Sequence, residues 1–257
     1  MATVLKMHSV RDQVSPEEWA LREDLACAYR AVAHLGWDDL SFTHLSARVP
    51  GPSLAFLLNP FHLGFEEITA SSLLTLDGEG RSLIENGMPT NPAGFTIHSA
   101  LQMGRADVNA VIHLHTIAGT AVSMMAFGLL PISQAAGSVV GDLAYHDYEG
   151  IAVDLDERER LIAHMGDKNA MILRNHGTLT VGGTIGEAFM RAYFLERACE
   201  MQVAALSAGR DNLAVPPAGS VEQVHEMGLK MGDMTANKLV WPLMRRRMEK
   251  LDPSFLD

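Results

Sequence analysis

Cysteine is almost missing from this chain. Its 2 cysteines, Cys27 and Cys199, lie far apart, each inside a helical pattern. That excludes a disulfide framework and makes a reducing, cytoplasmic setting the expectation. Long apolar runs are missing too: no stretch reaches the roughly 20 apolar residues needed to cross a bilayer. Met1 to Val14 has no apolar segment of the signal-peptide kind. Positive charge is scarce, with 20 Lys and Arg against 31 Asp and Glu, and the net charge of −11 argues against nucleic-acid backbones as partners. The short run Arg245-Arg246-Arg247 reads as a solvated helix face or a carboxylate anchor. There is no internal repeat or low-complexity tract. What remains is 257 residues, 47% of them hydrophobic, enough for one large core.

The punctuation of the chain divides it into alternating helices and short strands. After an N-terminal segment, 1–14, expected to be flexible, Ser15-Pro16-Glu17-Glu18 combines an N-cap, a proline at the first helical position and a capping-box glutamate. That helix stops at Gly36. Strand-like pieces follow at about 45–49, 54–58 and 72–76, the last ending in the hairpin turn Asp77-Gly78-Glu79-Gly80. Pro92-Ala93-Gly94 opens a helix over Phe95 to Met103. A helix from about Ala118 to Phe127 and a strand-like stretch from Pro131-Ile132-Ser133 lead into Tyr145-His146-Asp147-Tyr148. A helix over Asp154 to Met165 precedes the buried strand Ala170 to Leu173. Thr184 and Glu187 cap a long helix to about Ser207 whose Ala- and Met-rich stripe reads as core or as an oligomer seam. A linker over Gly209 to Ser220 then leads to helical segments at about 221–251. The pattern is that of a single α/β domain over 15–257, with helices flanking a sheet.

The chemistry concentrates in His113-Leu114-His115, at the end of the apolar run Val108 to Ile112, and in the turn Asn175-His176-Gly177. Side chains two apart on a strand share a face, so the first two imidazoles converge. A third from a distant turn completes a facial triad with open positions, the arrangement a catalytic divalent metal uses. By itself, His-x-His is also compatible with one buried, hydrogen-bonded ring.

At these residues the chain resembles the class II aldolase/adducin family, over about 17–207. The resemblance rests on Leu45-Ser46-Ala47-Arg48, Glu67-Ile68-Thr69-Ala70-Ser71-Ser72-Leu73 and Asn91-Pro92-Ala93-Gly94-Phe95-Thr96-Ile97-His98-Ser99-Ala100. It continues through Asp107-Val108, His113-x-His115-Thr116, Gly128-Leu129-Leu130-Pro131-Ile132-Ser133, Tyr145-His146-Asp147-Tyr148 and Leu173-Arg174-Asn175-His176-Gly177. Within the family the chain looks closest to the adducin head domain and its free-standing bacterial counterparts. The resemblance implies a three-layer α/β/α fold with a mostly antiparallel central sheet. It implies Zn²⁺, or Mn²⁺ or another divalent metal, on His113, His115 and His176, and a homotetramer with sites between subunits. The long tail and basic terminus of full-length adducins are not expected, because the sequence stops at Asp257.

Departures from the family pattern narrow the chemistry. The sugar-phosphate aldolases place a proton-transfer glutamate beside the metal, and the corresponding position here is Gly94. Their phosphate-binding turns become Thr43-His44-Leu45-Ser46, Asn59-Pro60-Phe61-His62 and Pro92-Ala93, so the close backbone N–H groups and hydroxyls that hold phosphate are lost. The expected activity is therefore a metal-dependent carbon–carbon lyase, by retro-aldol cleavage or decarboxylation, on a small non-phosphorylated keto- or hydroxy-acid. The candidate acid/base and substrate-holding residues are Tyr145, which falls near a tyrosine that aldolases supply across a subunit junction, and His44 and His62 on the altered loops. His98 reads as structural. Asp147 and Glu149 read as solvated or as orienting groups, and Arg48 and Arg174 as ion-pair partners, with Arg174 the better anion candidate. A small molecule is the expected partner, with neither nucleic acid nor membrane. The rival expectation is a non-catalytic, adducin-head-like interaction module that keeps the metal.

Overall fold

The computed structural model describes residues 9–84, 92–150 and 157–257. Its strands are β1 (His44–Arg48), β2 (Ala55–Leu58), β3 (Leu74–Asp77), β4 (Ala110–Leu114), β5 (Leu143–His146), β6 (Ala170–Leu173) and β7 (Gly177–Gly182). They form one sheet in the order β3-β2-β1-β4-β7-β6-β5. Every neighbouring pair is antiparallel except β5 and β6, which run parallel. The helices are α1 (Pro16–His34), α2 (Pro92–Gly104), α3 (Ile117–Ser123), α4 (Gln134–Val139), α5 (Glu157–Met165), α6 (Ile185–Leu206), α7 (Ser220–Thr235) and α8 (Trp241–Leu251).

Strand alternation sorts the side chains into layers. Leu45, Ala47, Ala110, Ile112 and Leu114 face α1, α6 and α8 and pack with Leu25, Phe189 and Trp241. Val111, Met171, Leu179 and Val181 face the opposite way and pack on Ile97 and Leu101 of α2 and Leu161 and Met165 of α5. A further cluster joins Ala170 and Ile172 of β6 to Val122 of α3, Ala136 of α4 and Leu195 of α6. The result is the three-layer α/β/α architecture with a mostly antiparallel sheet. The same alternation sets the polar residues: His44, Ser46 and His113 share strand parity with Val111 and so point to the α2 side. A buried polar seam therefore runs between the sheet and α2.

Several sequence expectations need correction. Residues 1–8 lie outside the described residues, but 9–14 are tied down, because Val10 is buried against Trp19 and Ala70. The helix expected to reach Phe127 ends at Ser123, whose carbonyl accepts the Asn175 N–H at 3.3 Å. The chain then turns at Gly128, with φ 66°. The stretch expected to be strand-like at 131–133 is instead a helix start, with Ser133 Oγ accepting the Ala136 N–H at 3.1 Å as the N-cap of α4. The helix expected to open on Pro92-Ala93-Gly94 does begin at Pro92, whereas the expected opening at Asp154 falls outside the described residues. Among the described residues Arg48 meets carbonyls, not a carboxylate: its guanidinium donates to Gln102, Arg105 and Val108, at the C-terminal end of α2 and the turn after it. Arg174 donates to the Met125 carbonyl at 2.8 Å and lies over the Tyr145 ring. Arg245 anchors the tail by pairing with Glu23 and Asp24 of α1 and Glu249 of α8.

Candidate metal centre

His113 sits in β4 and His115 one residue beyond its end. His176 closes the three-residue turn between β6 and β7. Two local features make that turn possible. Asn175 takes a left-handed conformation, φ 57°, which asparagine tolerates better than most residues. A side chain on Gly177 would run into the Leu114 carbonyl, so only glycine lets the turn approach β4 closely. The three rings come together with centroids 4.7 Å (His113–His115), 4.8 Å (His113–His176) and 4.8 Å (His115–His176) apart. Among the described residues this is the one group of three or more His, Cys, Asp or Glu whose donor atoms lie within 4.8 Å of one another.

Hydrogen bonds on the far side of two rings define what the near side offers. His113 Nδ1 lies 3.0 Å from the Thr178 carbonyl oxygen, an acceptor only, so Nδ1 carries the proton and Nε2 the lone pair. His115 Nδ1 lies 3.1 Å from Asp39 Oδ2, which makes the same assignment there. The two Nε2 lone pairs then face each other at 2.9 Å. Acceptor against acceptor is repulsive unless a cation shares them, and a carboxylate and a carbonyl behind metal-ligating imidazoles are the usual orienting partners. The donor set thus fits a divalent ion. Burial pushes His113 well below the usual histidine range and His176 down to about 4, so both are the neutral rings that coordination requires.

His44 is the cross-strand partner of His113 in the β1–β4 register, with ring centroids 5.1 Å apart. Its Nδ1 lies 3.0 Å from His98 Nε2, and His98 Nδ1 lies 2.6 Å from Ser46 Oγ. This chain of buried groups runs along the polar seam, and burial lowers His98 to about 3 and His44 well below its usual value. Gly94 explains how the ring fits: a Cβ there would lie 2.6 Å from His44 Cδ2. The imidazole fills the space where a side chain at 94 would begin.

Above these rings opens a cavity of about 920 Å³, lined by Asp39, Phe42, His44, Phe61, His113, His115, Ile117, Met124, Tyr148 and His176, among others. His44 and the three ligand candidates therefore share one site. His62 is not brought there; it lines a separate depression with Asp38, Leu40 and Glu66, and its neighbour Phe61 faces the cavity instead. Tyr145 also stays apart, with its hydroxyl accepting the Leu129 N–H at 3.0 Å and its ring covered by Arg174. Tyr148 is the described tyrosine lining this cavity. Asp147 and Glu149 lie beside a second histidine pair, His146 and His164, where Glu149 is held by Arg160. Sequence reasoning missed Asp39, the Thr178 carbonyl and the pairing of His44 with His98; Asp39 sits on an irregular loop far from His115 in sequence, with no periodicity to mark it.

Convergent imidazoles with donors fit to hold a divalent ion, at the end of a mostly antiparallel sheet layered between helices, mark an α/β protein of the class II aldolase type. The family model for the "Class II Aldolase and Adducin N-terminal domain" matches residues 23–203, and the chain belongs to that family. It is 49% identical over 250 residues to a protein of Caulobacter vibrioides provisionally named an aldolase class 2 protein, covering 97% of this chain and 96% of the relative. Its fold matches the crystal structure of an aldolase II superfamily protein from Pseudomonas syringae with a TM-score of 0.90 at 46% identity, over 97% of this chain and 100% of that one. It also matches an L-fuculose 1-phosphate aldolase from Glaciozyma antarctica, with a TM-score of 0.81 at 30% identity, covering 92% and 91%.

Proposed function

We propose that this protein is a divalent-metal-dependent carbon–carbon lyase acting on a small, non-phosphorylated keto- or hydroxy-acid. The observation that carries the reading is the facing pair of Nε2 lone pairs of His113 and His115, with His176 beside them, at the floor of an open cavity. Family membership points to a lyase, and its enzymes use a divalent metal. A bound ion, zinc in our reading, would supply a Lewis acid beside the substrate's carbonyl or hydroxyl and carboxylate oxygens. His113, His115 and His176 would hold it, with Asp39 and Thr178 fixing two of the rings. No carboxylate is available at position 94, so proton handling falls to His44, backed by His98 and Ser46. Tyr148 stands at the mouth as the phenol able to donate a proton; Tyr145 would act only across a subunit junction. A homotetramer in the cytoplasm is the assembly and setting that family membership supports best.

The test is a cleavage assay of metal-loaded protein against a panel of non-phosphorylated keto- and hydroxy-acids beside phosphorylated sugars. Turnover confined to the acids, and lost in His113→Ala, is expected. A silent panel, together with a cellular role that survives His176→Ala, would favour the interaction-module reading that adducin kinship also allows.

A further inference from the structure

The walls of the cavity differ in chemistry from its floor. Phe42 and Phe61 meet edge to face with centroids 6.0 Å apart, on the loops flanking β1 and following β2. Ile117 and Met124 of the α3 segment line the same cavity, with 92% and 59% of their surface exposed. Among the described residues no lysine or arginine lines this cavity. A phosphate or a second carboxylate at the outer end would therefore find neither side chain among the described lining residues. The volume, about 920 Å³, lies near the top of the roughly 300–1,000 Å³ that holds drug-sized ligands. A three-carbon acid seated at the histidines would leave most of it empty and its apolar walls wet.

We propose that Phe42, Phe61, Ile117 and Met124 form an apolar subsite for the remote end of the substrate, so that the site selects acids bearing an aromatic or branched apolar group. The inference rests on the metal-dependent reading above, and it names the substrate class of that same site. The acid end is placed by the histidine floor. The ring or branched group removes the faces of Phe42 and Phe61 and the side chains of Ile117 and Met124 from water, and selectivity scales with the apolar area covered.

Two non-reacting chelators separate the parts. Titration calorimetry of zinc-loaded protein with acetohydroxamate reports the metal floor alone, and phenylacetohydroxamate adds the ring. The phenyl probe is expected to bind at least about tenfold more tightly, as burial of one ring would give. Phe42→Ala and Phe61→Ala should cut that ratio to about twofold and leave acetohydroxamate binding unchanged. Both side chains are partly exposed, so these variants should fold. Equal binding of the two probes would overturn the subsite while leaving the metal reading intact. Tighter binding of glycerol 1-phosphate than of the phenyl probe would overturn it as well. If the alanine variants dissociate an oligomer without changing the ratio, the aromatic rim is a subunit contact and the proposal fails. Binding of neither probe by protein that takes up no zinc would remove the metal reading first, and the subsite with it.

Discussion

Single atoms behind the rings decide what the site can hold. Asp39 Oδ2 fixes the tautomer of His115, and such orienting carboxylates typically contribute about 10–100-fold to metal affinity. Asp39→Asn should therefore weaken zinc about tenfold or more in competition with a chromophoric chelator; unchanged affinity would mean that the contact does not orient the ring. Gly94 and His44 are coupled by space. A Cβ at 94 would lie 2.6 Å from His44, so Gly94→Glu should cost about 1–3 kcal/mol by overpacking, read from the denaturation midpoint. Adding His44→Gly to Gly94→Glu should recover much of that loss, and a double variant no more stable than Gly94→Glu alone would show that the ring is not the obstacle. The clustering of His113, His115 and His176 was legible because strand spacing and a turn signature mark them. His62 does not line the cavity within the chain: on an irregular loop no period says which of Phe61 and His62 turns toward it, and Phe61 does.

Elements carry those atoms to one place. The three histidines meet only because the β6–β7 turn approaches the end of β4, and Gly177 permits that approach. Gly177→Ala would place a methyl group against the Leu114 carbonyl, so β4 and the turn must part. Both a lower denaturation midpoint and loss of stoichiometric metal are expected; metal content equal to wild type would show that the turn has slack. The long helices α1 and α6 were legible from their caps, Ser15 and Thr184, whose hydroxyls accept N–H groups three residues on. The middle of the chain was not. Pro131-Ile132-Ser133 resembles a strand start, yet Ser133 caps α4, because a short helix buried by tertiary packing needs little propensity of its own. The sheet order was also beyond spacing arguments, since β4 pairs with β1 on one side and β7 on the other, across long stretches of chain.

On the scale of the whole molecule, burying several neutral histidines in one seam makes stability depend on acid. In the metal-free protein, burial lowers His98 to about 3 and His176 to about 4, with His44 and His113 well below their ordinary value. Unfolding restores them to about 6.5, so below that pH the unfolded chain binds protons that the native state refuses. Each such group should take about 1.4 kcal/mol of stability per pH unit as pH falls from about 6.5 toward its folded value. Glu196 acts in the opposite direction. Burial raises its carboxyl to about 7, against the lowering effect of the hydrogen bond it accepts from the Thr116 hydroxyl. It keeps a proton in the native state between its unfolded value and about 7, and therefore adds stability as pH falls through that window. One carboxyl cannot offset four histidines, so metal-free protein should lose stability steeply between pH 6.5 and 5, while above pH 7 the four histidines contribute no dependence. Denaturant midpoints of chelator-treated protein at pH 7.5, 6 and 5 measure the slope. Replacing His98 by Gln should flatten it by about one proton. A midpoint that stays level down to pH 5 would mean that the seam admits protons, and that the imidazoles behind the metal site are not held neutral by burial.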